Sequence, residues 1–185
     1  MADAAEVAIE VISALGRAGI PSALGGALAL NWWSEPRGTV DADINVFVEP
    51  AGYGQVVDTL EALGANLDRA ECLQRFAAGD VAVARMRGVR VDLFAPSIPF
   101  HAVAAETVVS AEIGGQRVPV LSAEALAVFK LLFFRPKDLL DLRTLVRRRA
   151  SELDSKWVRT HVAEMMGSDD ERVVEWDTIC EESGM

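Results

Sequence analysis

The stretch Gly25 to Val48, GGALALNWWSEPRGTVDADINVFV, constrains this chain more than any other. A glycine pair precedes a short apolar run with helical character. Arg37-Gly-Thr39-Val-Asp41-Ala-Asp43 then opens a strand. Side chains alternate along a strand, so Asp41 and Asp43 share one face. Two carboxylates side by side repel each other, and a divalent cation between them is the usual remedy. The glycines point the same way. A glycine pair between a strand and a helix leaves backbone N–H groups at a helix N-terminus, which is a phosphate-binding arrangement. A phosphate over Gly25 and Gly26 would lie beside a cation at the acids.

A third acid stands downstream. Val89-Arg-Val-Asp92-Leu-Phe94 alternates as a strand, with Asp92 on the face opposite Val91 and Leu93. If the two strands are neighbours, Asp41, Asp43 and Asp92 converge, and an oxygen-rich acidic cluster suits Mg²⁺.

Around these strands the periodicity predicts an α+β chain. Residues 3–18 have helical spacing and stop at Gly19. Residues 20–24 read as a short strand, 27–33 as a compact helix, 40–48 as the acid-bearing strand and 52–63 as an amphipathic helix. Three strands are expected at 73–78, 81–86 and 89–94, then a helical turn at 99–105. A hairpin follows around Gly114-Gly115. From Ser122 onward only helices are expected, at 124–134, 136–149, 154–166 and 169–182, with Pro136 suited to a first helical turn. The expected division is an α+β core over residues 1–121 and a helical part over 122–185.

With 185 residues, 51% of them apolar, the chain can bury a sizeable core. Its net charge of −10 argues against a protein that coats nucleic acid. The charge is uneven: Lys130 to Arg149 holds seven basic and two acidic residues, whereas Glu164 to Met185 holds eight acidic and one basic. Cys72 and Cys180 have no metal spacing and are expected to be free thiols. The acidic start, MADAAEVAIE, is no signal peptide, and no apolar run reaches membrane-span length, so a cytoplasmic protein without membrane contact is expected. Trp32 and Trp33 are expected in the core. His101 and His161 are isolated and suggest no metal site.

The run GGALAL…PRGTVDADINV resembles the signature of the polymerase-β-like nucleotidyltransferase superfamily. Its R-x-T-x-D-x-D form is similar to a small prokaryotic branch that includes the AbiEii-type toxin nucleotidyltransferases. LSAEALAVFKLLFFRPKDLLDLRTL is similar to that branch's C-terminal helical motif. The likeness covers about residues 10–147. It implies the nucleotidyltransferase fold, a mixed central sheet flanked by helices. It also implies Mg²⁺ or Mn²⁺ on Asp41, Asp43 and Asp92, with Asp92 helping to deprotonate an acceptor hydroxyl.

The NTP would meet Gly25, Gly26, Arg37, Thr39, Lys130 and Lys137, with Asp138 and Asp141 completing the second helical motif. Gly26 departs from members that carry Ser there. Lys130 has its own physical argument: an amine within an apolar helix must either snorkel out or meet an anion. The implied reaction moves an NMP from an NTP to a hydroxyl on tRNA, protein or a small molecule and releases pyrophosphate. A cognate antitoxin or a second copy is the implied partner. The alternative is a non-catalytic nucleotide- or partner-binding protein of the same fold.

Overall fold

The structure, a computed structural model, describes residues 3–185. The chain divides into two compact units, residues 1–29 with 38–121, and residues 30–37 with 122–185. Residues 30–37 group with the C-terminal helices.

The first unit is built on a six-stranded mixed sheet. Its strands are β1 (Ser22–Leu24), β2 (Asp41–Val46), β3 (Ala82–Met86), β4 (Val89–Phe94), β5 (Val109–Ile113) and β6 (Gln116–Val120). Their order across the sheet is β3-β4-β2-β1-β6-β5. Helix α1 (Ala4–Arg17) starts at Asp3, whose side chain accepts from the Ala5 N–H, a favoured N-cap. Its apolar stripe, Val7, Ala8, Val11, Ile12 and Leu15, is buried, and the helix packs across β1, β2, β4 and β6. Alternation in β2 and β4 does the rest. Ala42, Ile44 and Val46, with Val89, Val91 and Leu93, are buried. The intervening Asp41, Asp43, Arg90 and Asp92 are half-buried on the other face.

Helix α2 (Gly26–Trp33) follows β1, and α3 (Tyr53–Ala62) follows a 3₁₀ turn at Pro50–Gly52. One expectation fails next. Residues 73–78 are not a strand; they belong to α4 (Arg69–Ala78). Asp68 caps this helix by accepting from the Glu71 N–H, Cys72 and Phe76 bury its inner face, and Gly79 closes it at φ 73°. A strand would also put Cys72 and Phe76 on one face, but with Gln74 between them; in the helix Gln74 turns out to solvent while Cys72 and Phe76, four apart, face inward. Helix α5 (Phe100–Glu106) precedes the β5–β6 hairpin, whose turn places Gly114 and Gly115 at positive φ.

The second unit contains α6 (Ala123–Phe133), α7 (Pro136–Arg149), α8 (Ser155–Met166) and α9 (Glu171–Glu182). Ser122 caps α6, accepting from the Ala125 N–H, and Pro136 occupies the first turn of α7. The core of this unit gathers Leu126, Leu131, Leu142, Leu145, Val158, Val162 and Trp176. Trp176 also donates its indole N–H to the Ser155 carbonyl at 3.0 Å. Trp32 departs from the expected burial at 41% exposed, and the Arg149 guanidinium lies 5.0 Å from the centroid of the Trp33 ring. No helix among the described residues is long and apolar enough to cross a membrane.

Candidate active site

In the first unit β2 and β4 are parallel neighbours, and their register sets the site. Asp43 stands opposite Asp92, and Asp41 stands opposite Arg90. Because side chains alternate, all four lie on one face of the sheet. On the far side of β4, β3 puts Arg85 opposite Arg90. The sequence pattern alone could not supply this pairing, since a parallel partner 49 positions away leaves no local signal.

The glycine pair meets the same strand. The Gly25 N–H donates to the Asp43 carbonyl at 2.9 Å, so that donor belongs to the backbone rather than to a phosphate. A Cβ on Gly25 would lie 2.6 Å from the Asn45 Nδ2. At Gly26 the backbone has φ 52°, and a Cβ would lie 2.8 Å from the Asp43 Cβ and closer still to its carboxylate. The start of α2 thus sits directly against the Asp43 side chain. Gly26 and the first turn behind it are the part of the pair positioned to offer N–H groups, because the opening N–H groups of a helix have no partner within it. Thr39 shapes the entry to β2: its Oγ1 donates to the Asp41 carbonyl at 3.1 Å and accepts from the Asp41 N–H at 3.3 Å.

Arg90 escaped the sequence reading. Its Nε donates to Asp92 Oδ1 at 2.6 Å, and the side chains of Arg90 and Asp92 are 43% and 16% exposed. The Asp92 hydrogen bond first, then the charges of Asp92, Asp41 and Asp43, hold the guanidinium protonated more firmly than usual. The signal was available: Arg90 lies two positions before Asp92 and so shares its strand face. Among the described residues, no three His, Cys, Asp or Glu side chains stand ready as a metal cage. The donor chemistry nevertheless fits a hard divalent cation, which takes carboxylate oxygens and leaves positions for water and phosphate.

The remaining expected residues fall in the second unit. Lys130 is 5% exposed. Its Nζ donates to Asp141 Oδ2 at 2.6 Å and to Asp138 Oδ1 at 3.5 Å. Arg37 donates to the two oxygens of Asp141 through Nε and Nη2, both at 2.9 Å. Its backbone N–H and carbonyl are held by the Asn31 side chain. Arg135 donates through Nε to Asp138 Oδ2 at 2.6 Å. Burial alone would push the Asp138 carboxyl up, but the Arg135 hydrogen bond and the Lys130 charge outweigh it and hold it below the usual range. Lys130 therefore meets its anions in α7, and Arg37 meets one of them, Asp141. Lys137 is exposed in the first turn of α7.

No protein-family profile and no curated protein matches the chain by sequence. Solved structures do match it along nearly its whole length. The antibiotic-resistance factor ANT(2'')-Ia in solution is 16% identical, with a TM-score of 0.60 over 87% of this chain and 90% of that one. An antigenic nucleotidyltransferase-like protein from Paracoccidioides brasiliensis is 17% identical, with a TM-score of 0.55 over 95% and 92%. The chain has the nucleotidyltransferase fold. A crystal structure of ANT(2'')-Ia in complex with adenylyl-2''-tobramycin is similar at a TM-score of 0.51 and 15% identity, over 96% of this chain and 97% of that one. At such identities the likeness concerns the nucleotidyltransferase fold itself, and the chemistry must be argued from this chain's own residues.

Proposed function

We propose that this chain is a divalent-metal-dependent nucleotidyltransferase of the polymerase-β-like superfamily. It moves an NMP from an NTP to a hydroxyl and releases pyrophosphate. The observation that carries this reading is the in-register opposition of Asp43 and Asp92, with Asp41 on the same face and Gly26 against Asp43. Asp41, Asp43 and Asp92 would hold Mg²⁺ or Mn²⁺, which supplies charge neutralisation for the leaving pyrophosphate. Gly26 and the first turn of α2 would receive phosphate oxygens. Asp92 Oδ2, the oxygen that does not take the Arg90 Nε bond, would accept the proton of the attacking hydroxyl.

For the acceptor we favour a hydroxyl on a small aminated molecule. Two observations support it: the net charge of −10, which attracts cations and repels RNA, and the fold shared with ANT(2'')-Ia, whose crystal complex holds adenylyl-2''-tobramycin. The toxin branch, with tRNA or protein as acceptor and a cognate antitoxin as partner, rests on the sequence resemblance.

The test incubates the chain with each α-labelled NTP, Mg²⁺ and, separately, an aminoglycoside panel, total tRNA and cell protein. Label is expected on an aminated small molecule. Asp92→Asn should lower the rate by about a hundredfold, within the range for removing a general base. NTP binding without label transfer to any acceptor would favour the non-catalytic binding protein instead.

A further inference from the structure

Arg90 lies on the acidic face, bonded to Asp92, and the proposed reaction gives it no task. In the register of β2 and β4 it faces Asp41, while Asp92 faces Asp43. Like charges directly opposite on neighbouring strands destabilise a sheet, so Asp43 and Asp92 need a positive charge close by. Arg90 supplies one through its 2.6 Å bond to Asp92 Oδ1.

We propose that Arg90 is a positioning residue that stands in for the divalent cation, holding Asp92 until a metal ion takes that carboxylate from it. This rests on the reading of Asp41, Asp43 and Asp92 as the cation's ligands. Three properties suit the residue to the task. A guanidinium stays charged at any working pH and grips a carboxylate oxygen through a fixed fork. Arg90 keeps 43% of its side chain in solvent, so it can swing away without unpacking a core. Asp92, at 16%, is the more enclosed partner; the acid stays in position while the arginine leaves. A cation on Asp92 would stand within a few Å of the Arg90 guanidinium, and the two positive charges repel each other. The free energy of the ion pair is thus subtracted from the affinity for metal, and a metal-free site keeps Asp92 paired.

The test titrates the full chain with Mn²⁺ in the absence of nucleotide and follows free Mn²⁺ by electron paramagnetic resonance, with circular dichroism as a check on folding. Arg90→Gln should bind Mn²⁺ about tenfold more tightly than wild type, the equivalent of one charge-assisted hydrogen bond. Arg90→Lys keeps the charge without the Nε donor and should fall between the two. If Arg90→Gln misfolds, Arg90→Lys decides alone. Asp43→Asn separates this inference from the reading beneath it. Should Asp43→Asn bind Mn²⁺ as well as wild type, the acids are not the ligands, whatever Arg90 does. Should Asp43→Asn weaken binding while neither Arg90 variant binds more tightly than wild type, the positioning role alone is overturned. It is equally overturned if wild type and Arg90→Gln both fail to bind.

Discussion

Gly26→Ala is expected to cost about 2–5 kcal/mol of stability and to bring nucleotidyl transfer down to background. Two penalties add. The backbone at Gly26 has φ 52°, a left-handed conformation that costs an L-residue about 1–2 kcal/mol. The new methyl would also lie 2.8 Å from the Asp43 Cβ and nearer its carboxylate; forcing atoms into occupied space costs about 1–3 kcal/mol. Relief comes only by moving Asp43, the acid opposite Asp92, which is why activity should fall with stability. Urea denaturation and the label-transfer assay read the two effects. Gly16→Ala is the control. Gly16 lies in α1 with nothing within 4 Å of a would-be Cβ, and alanine there should gain roughly 0.5 kcal/mol. A Gly26→Ala protein as stable and active as wild type would remove Gly26 from the site. Ser at position 26 would carry the same Cβ and on this backbone would collide with Asp43 in the same way.

The acidic face was half legible in the sequence. Strand alternation put Asp41 with Asp43 and set Asp92 apart from Val91 and Leu93, because a period of two is local. The pairing of β2 with β4 was not legible; it depends on a crossover containing two helices and β3. Arg90 was legible in the same way as the acids: it lies two positions before Asp92, on the same strand face. Helix α4 was misread because its short apolar segment fits either period, while the cap that decides it, Asp68 with Glu71 three residues on, lies outside the run. Lys130 divided in the same manner. Its need for an anion followed from its apolar neighbours, but the anion's identity did not. Asp138 and Asp141 reach it only because α6 and α7 fold back on each other, and Arg37 joins them from 104 residues away.

That cluster yields the second large effect. Lys130→Met is expected to destabilise the protein by about 3 kcal/mol, since removing one partner of a buried pair strands the other charge. Among the described residues, Asp138 and Asp141 would keep Arg135 and Arg37, whose side chains are 50% and 42% exposed and lend a weaker, water-screened field. Lys130→Met/Asp141→Leu should recover part of the loss, because an apolar pair of similar volume replaces a buried ion pair at little cost. Acid denaturation gives an independent reading. A carboxyl held below its unfolded value, about 3.9 for Asp, stabilises the fold above that pH and loses its contribution as pH falls through the depressed value. Asp138 is such a group, and part of its depression comes from Lys130. In Lys130→Met the acid limb of the stability curve should therefore begin at higher pH than in wild type. These readouts separate two roles for the lysine. An ammonium that held a triphosphate would raise the KM for NTP on removal and leave the melting temperature and the acid limb where they were. One that neutralises Asp138 and Asp141 moves both.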